Sequence, residues 1–158
     1  MIILDLETTG VNYKRDKIID VAALKVRGWK ILDTFETLVN PLAPIPAKVT
    51  SLTGINQSTV KGAPTFREIQ EDLYKFMRGH RIYGYNVAFD KRFLVKQSGK
   101  FLSFIYEDYL KSVKKKRPEY DTYKMEVVAK RLGILVRGSH RASNDVLTLF
   151  EIIKRLGC

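Results

Sequence analysis

Cysteine is nearly absent from the sequence: Cys158 is the one thiol in 158 residues. An internal disulfide is therefore excluded, and a reducing, cytoplasmic setting is expected. Long hydrophobic runs are absent too. None reaches the roughly 18 residues that cross a bilayer. The opening segment carries acids at positions 5 and 7 in place of the basic stretch of a secretion signal, so no membrane partner is expected. Acidic residues are in short supply, 17 Asp and Glu against 28 Lys and Arg, for a formal net charge of +11. That imbalance favours a polyanionic partner, of which nucleic acid is the commonest; a generally basic soluble surface is the alternative. There is no internal repeat, no low-complexity tract and no linker long enough to divide the chain. Residues 1–158 are expected to form one domain with a proper core.

What is present is alternation, then helical periodicity. Residues 1–7 read as a strand, with Ile2, Leu4 and Leu6 on one face and Ile3, Asp5 and Glu7 on the other. Residues 18–26 and 31–39 are rich in Ile, Val, Leu and Thr and flank Arg27-Gly28-Trp29-Lys30, which predicts a hairpin. Residues 40–48, with three prolines, read as loop. Thr65 and Glu68 form a capping-box pattern, and Phe66, Ile69, Leu73, Phe76 and Met77 keep helical spacing up to Gly79. A short strand is expected over 81–85. Helices are expected over 87–97, 101–113, 122–132 and 143–156. Strands first, then mixed helices and a strand, predict an α/β domain with a central mixed sheet flanked by helices.

Several acids do not fit this amphipathic scheme. Asp5 and Glu7 lie two apart on a strand and share a face, where like charges repel and burial aggravates the repulsion. Either that face is solvated, as in many antiparallel sheets, or something positive offsets the charge. Thr8-Thr9-Gly10 follow, with hydroxyls, free amides and a turn that a ligand could approach. Asp90, in GYNVAFD, shares the apolar face of Phe93 and Leu94. A helix-dipole contact would explain its position in the chain but not its side of the helix. Asp145 shares the direction of Leu149 and Ile152 on the last helix. His140 stands five residues earlier. In a continuous helix that step rotates the side chain by about 140°, so His140 faces the same point only from a loop before the helix. Gly138 and Ser139 favour such a loop.

Four inward carboxylates suit hard cations that take oxygen ligands, such as Mg²⁺ or Mn²⁺. Two ions about 3.5–4 Å apart would neutralise the cluster and suit in-line attack on a phosphodiester. A neutral histidine near pH 7 can take the proton of the attacking water.

DLETTG (Asp5, Glu7), NVAFD (Asp90) and HRASND (His140, Asp145) resemble, in order, the three motifs of the DEDDh 3′→5′ exonucleases, the family of the DnaQ-like, epsilon-type proofreading exonucleases of DNA polymerase III. LVNPLAPIPAKVTSLTGI and MEVVAKRLGI resemble the family's linking segment and penultimate helix, so the likeness spans essentially the whole chain. It implies a ribonuclease-H-like fold and metal-dependent hydrolysis of single-stranded 3′ ends to nucleoside 5′-monophosphates. Asp5, Glu7 and Asp145 would hold two divalent ions, with Asp90 completing the site partly through water. His140 would be the general base. Thr8, Thr9 and Gly10 would meet the terminal nucleotide; Leu52, Gly54, Ile55 and Phe89 would pack around the terminal bases; Asn86 would support them by hydrogen bonding. Tyr85 and Thr53 stand where many members have histidine, which leaves base and sugar preference open at the nucleotide pocket. The implied partner is single-stranded nucleic acid, DNA ahead of RNA. A DNA polymerase subunit is a further candidate, although the chain as given stops soon after its last helix, where polymerase-associated members continue in a tail.

Three rival readings stand beside this one. The same chemistry could act on RNA or short oligonucleotides. Lys114-Lys115-Lys116-Arg117 with Tyr106, Tyr109, Tyr120 and Tyr123 could make an inactive nucleic-acid-binding module, against which these cations read as a favourable helix C-terminus. A transferase or endonuclease of the same fold is disfavoured by the His140-to-Asp145 element and the Thr8-Thr9-Gly10 turn.

Overall fold

The structure is a computed structural model and describes residues 1–138 and 140–158. The Ser139 half of the expected Gly138-Ser139 loop lies outside the described residues. The strands are β1 (Ile2–Thr8), β2 (Ile18–Arg27), β3 (Lys30–Leu38), β4 (Ile82–Gly84) and β5 (Tyr106–Asp108). The helices are α1 (Ala47–Thr53), α2 (Gln57–Val60), α3 (Phe66–Met77), α4 (Ala88–Gln97), α5 (Tyr109–Lys116), α6 (Met125–Arg131) and α7 (Ala142–Leu156), with a 3-10 turn over Gly99–Ser103. The strands form one mixed sheet in the order β3-β2-β1-β4-β5. β1 pairs antiparallel with β2 and parallel with β4, so it lies at the centre. No helix among the described residues is long and apolar enough to cross a membrane.

Alternation on β1 divides the core. Ile2, Leu4 and Leu6 pack with Leu73 and Met77 of α3, Phe93 and Leu94 of α4, and Phe101. Ile3 packs on the other face with Tyr109 and Val113 of α5, Val128 of α6, and Val146, Leu149 and Ile153 of α7. Each such side chain, fully buried, contributes about 1.5–3 kcal/mol. The face of Ile3 is also the face of Asp5 and Glu7, so α7 covers the acids. β2 is buried on both faces because helices cover both sides, whereas β3 is an exposed edge. Gly28 and Trp29 both take positive φ, 54° and 61°, as a two-residue hairpin turn between twisted strands requires. The capping box at α3 forms: the Thr65 amide donates to Glu68 Oε2 at 2.7 Å.

The helix expected over 101–113 does not form as one element. It divides into the 3-10 turn, β5 and α5. Ile82 donates its amide to the Ile105 carbonyl, and β4 pairs in parallel through Ile82–Tyr106 to Gly84–Asp108. A three-residue strand is too short to show alternation, and a distant strand overrides its local propensity. Asp108 then caps α5, its Oδ1 accepting from the Leu110 amide at 3.1 Å. Lys114, Lys115 and Lys116 form the last turn of α5, and Arg117 is its C-cap. Lys116 Nζ donates to the Leu156 and Gly157 carbonyls at 2.7 Å, closing the C-terminus of α7. Lys114 Nζ lies 5.5 Å from the Tyr123 ring centroid. The run thus sits at the helix C-terminus, and Lys114 and Lys116 are engaged within the fold rather than left in solvent.

Candidate active site

β1 delivers Asp5 and Glu7 to the sheet centre, and a register irregularity between Glu7 and Thr8 ends the regular pairing with β2. The chain then turns. Thr8 Oγ1 donates to the Gly10 carbonyl at 2.6 Å. Thr9 donates its amide to the Lys17 carbonyl at 2.8 Å, and its hydroxyl accepts from the Lys17 amide at 2.9 Å. The Thr9 amide is therefore committed to the turn rather than free. At Gly10 a Cβ would collide with the Asp16 carboxylate, which accepts from the Asn12 amide at 2.8 Å. A larger residue at position 10 would displace the Asp16 carboxylate from the Asn12 amide that it holds.

α4 brings Asp90 in its first turn, 4% exposed. α7 brings Asp145, 8% exposed. His140 precedes α7, as the five-residue spacing requires. It adopts φ +64°, and its amide donates to Asp145 Oδ2 at 3.1 Å. Asp5, Glu7 and Asp145 each offer a carboxylate oxygen, all within 4.8 Å of one another.

Crowding three acids this closely, with Asp90 beside them, shifts their protonation. Burial raises the Asp5 carboxyl well above the usual range, and the charges of Asp90, Asp145, Glu7 and Asp20 raise it further. Burial takes Glu7 to about 8, with Asp145 and Asp20 adding to the rise and Arg141 opposing it. Burial likewise takes Asp90 to about 8, against the hydrogen bonds of its own amide and that of Leu6. Asp145 rises to about 6, mainly by burial, with the His140 amide opposing. The cluster needs either protons or cations to offset it. Its donors are all carboxylate oxygens, the set that fits a hard divalent cation.

A cleft of about 480 Å³ opens beside these groups, lined by Tyr85, Asn86, Lys124, Met125, His140 and Asp145 among others. Tyr85 donates its hydroxyl to the Tyr123 carbonyl at 2.6 Å, and burial raises its phenol. Asn86 is exposed with φ +65°, and its amide donates to Asp108 Oδ1 at 3.0 Å. Asparagine is among the residues that tolerate this left-handed backbone. Phe89 is half-buried, its ring 4.9 Å from that of Phe93. Leu52 is exposed at the end of α1, and Gly54, φ +74°, caps that helix. Ile55 is buried with Ile19 and Val60 in a small cluster of its own, so its side chain is committed to that core.

Two polar residues escaped the sequence reading. Asp108 supports Asn86 through a contact between positions 22 apart, which leaves no local signal. Asp20 stands opposite Glu7 on β2 and is fully buried. Its signal was legible: an acid inside IIDVAAL is the same misfit as Asp5 inside its own strand.

With this geometry in view, comparison with known proteins is direct. The family described as Exonuclease (RNase_T) matches residues 2–153. The DNA polymerase III PolC-type protein of Clostridium perfringens is 36% identical over 156 residues, covering 97% of this chain and 11% of its own length. The DNA polymerase III subunit epsilon of Aquifex aeolicus is 30% identical over 159 residues, covering 98% of this chain and 79% of its own. Among solved structures, the nuclease domain of 3′hExo, a DEDDh family member bound to rAMP, superposes with a TM-score of 0.84 at 22% identity. That match covers 99% of this chain and 92% of that one, and it shows the ribonuclease-H-like fold. The chain spans about a tenth of the length of the PolC-type relatives it matches. The family model spans nearly the whole chain, and the chain belongs to the exonuclease family.

Proposed function

We propose that residues 1–158 form one exonuclease domain that removes nucleoside 5′-monophosphates one at a time from the 3′ end of single-stranded DNA, in proofreading or repair. The observation that carries this reading is the union of three carboxylates within 4.8 Å with a histidine whose amide is hydrogen-bonded to one of them. Asp5, Glu7 and Asp145, with Asp90 behind them, would hold two divalent cations, Mg²⁺ or Mn²⁺. When bound, such ions supply neutralising charge to the cluster and stabilise the charge that develops on the phosphate. The histidine imidazole takes a proton from a water as the water oxygen attacks the terminal phosphorus. The bond from phosphorus to the 3′ oxygen of the penultimate nucleotide breaks, and that oxygen gains a proton from solvent.

Leu52 and Phe89 offer apolar surface to the terminal bases, while Thr8, Thr9, Gly10, Gly54, Tyr85 and Asn86 shape the backbone around them. Ile55, buried with Ile19 and Val60, anchors the segment that follows α1. DNA is favoured by the two relatives named above, both called DNA polymerase III components. The same names make a polymerase subunit a candidate partner. RNA is the second reading, since the 3′hExo nuclease domain is described with rAMP. A free, exposed Cys158 suits a cytoplasmic setting.

Matched 5′-labelled DNA and RNA oligomers with Mg²⁺ or Mn²⁺ test this. Shortening from the 3′ end is expected, abolished in Asp5→Ala and slowed roughly 10²–10⁴-fold in His140→Ala, the usual worth of a general base. The faster substrate assigns DNA or RNA. Internal cuts, or no shortening of either oligomer, would overturn the reading.

A further inference from the structure

We propose that Asp20 and Arg141 form a latch that positions His140 over the carboxylates, a role that rests on the exonuclease reading of the site. Asp20 is the fifth acid near the cluster and is wholly buried on β2, directly across from Glu7. An acid there adds to the repulsion among Asp5, Glu7 and Asp145, so on electrostatic grounds alone it is the wrong residue. What it does is reach the start of α7. Its Oδ2 accepts from Arg141 Nε at 3.0 Å and from the Ala142 amide at 3.3 Å. Its Oδ1 has no hydrogen-bond partner among the described residues, so the carboxylate is held by these contacts.

The two residues Asp20 grips directly follow His140. Arg141 occupies the N-cap position of α7 but does not cap the helix with its own side chain. Asp20 supplies an acceptor from a strand more than 120 positions away in the chain. This matters because His140 has a left-handed backbone, φ +64°, which a residue other than glycine keeps only when its surroundings hold it. Three hydrogen bonds do so. The His140 amide is tied forward to Asp145, and the Arg141 side chain and the Ala142 amide are tied down to β2 through Asp20. One rigid sheet therefore sets both the carboxylates and the turn that carries the base. Arg141 is 38% exposed at its side chain and Asp20 only 1%, so the arginine bridges solvent and core. Lysine could not reproduce the Nε contact.

The experiment compares the full chain with Arg141→Gln, Asp20→Asn and the double variant. Three readouts are taken: kcat and KM on a single-stranded oligomer with saturating Mg²⁺, the thermal midpoint, and the carbon-13 imidazole spectrum. The protein has two histidines, and His80, just before β4, is the internal control. Misplacing a catalytic group by about 1 Å can cost on the order of 10²-fold, so kcat in each single variant should fall roughly 10- to 100-fold. KM should stay within about threefold, because substrate binding is untouched. The His140 resonance should move while that of His80 stays. Because both variants open one latch, the double should be no worse than the worse single.

A folded Arg141→Gln protein with kcat within about twofold of the parent and an unmoved His140 resonance would overturn the latch. So would single losses that multiply in the double variant. If Arg141→Gln cannot fold because Asp20 is left buried and unpaired, the double variant, which buries no charge, carries the same test. A parent protein that shortens no oligomer sinks the exonuclease reading separately. The displaced His140 resonance would still support the latch, and an unmoved one would overturn it.

Discussion

Asp5 shows how a single side chain decides both chemistry and stability. Its carboxyl is raised well above the usual range by burial and by four neighbouring acids, and Glu7 and Asp90 sit at about 8. A carboxyl raised in the folded state is protonated there while the unfolded chain has already ionised. Folding then holds extra protons between the unfolded value near 4 and the folded value near 8, so stability falls as pH rises through that window. The thermal midpoint of the metal-free protein should therefore fall steadily from about pH 5 and be several degrees lower by pH 8.5, since a tenfold difference in proton affinity between the two states is worth about 1.4 kcal/mol. Mg²⁺ or Mn²⁺ at saturation should flatten the profile, because it stabilises the ionised form. Asp5→Asn should abolish activity yet raise the metal-free midpoint at pH 8.5. Thermal scans across pH, with chelator or metal, check all three. A midpoint that climbs from pH 5 to 8.5 without metal would contradict the electrostatic account of the cluster.

The same side chain explains why so much of the site was legible in the sequence. An acid placed on the apolar face of a strand or helix breaks a periodic pattern, and the break is visible without coordinates. Asp5, Glu7, Asp90 and Asp145 all announce themselves in this way. The position of His140 followed from the five-residue step to Asp145. The commitment of the Thr9 amide to Lys17 was not visible, since it depends on how the loop between β1 and β2 folds back.

Among the elements, the short ones were the hardest to read and do much of the positioning. The strands and helices with seven or more residues of clear period, such as β1, β2, α3 and α7, formed where alternation or helical spacing put them. α2 and β5 are four and three residues long and are fixed by neighbours rather than by their own composition. β5 has a consequence for the site, because its last residue, Asp108, serves two elements at once. One oxygen caps α5 through Leu110 and holds the Asn86 amide beside the cleft. Losing a cap typically costs about 1 kcal/mol. Asp108→Ala should therefore lower the thermal midpoint by a few degrees. It should also raise KM more than it lowers kcat, because Asn86 lines the cleft without joining the carboxylates. Asp108→Asn keeps the acceptor and should restore most of both. Steady-state kinetics with a melting curve for each variant separate the outcomes. A drop in kcat at constant KM would mean that this turn supports the reacting groups instead.

At the level of the whole molecule, two charge patterns coexist: a buried acidic centre and a surface that brings the net charge to +11. The sheet makes this possible. β1 lies at its centre, and α4 and α7 close over its two faces with Asp90 and Asp145 in their first turns, so the acids collect at one end of the strand. The fold class was legible because the order of elements allowed few sheets; the position of β5 at the edge was not, since it is set by pairing alone. The surface charge governs a different step from the buried acids. Cations that meet phosphates release counterions, and for single strands each contact contributes about −0.7 to the slope of log affinity against log salt. Some of the 28 basic residues are engaged within the fold: Lys116 closes α7, Arg141 grips Asp20, and Lys100 pairs with Glu71. Three or four phosphate contacts from the remainder would make KM for a short single strand rise roughly 20- to 50-fold between about 50 and 200 mM salt. Over the same range kcat should hold steady, because burial shields the carboxylates from bulk ions. Initial rates at several salt concentrations and fixed free Mg²⁺ give both constants. A flat KM would show that the basic surface does not engage the strand, and a kcat that fell in step with it would show that salt reaches the carboxylates themselves.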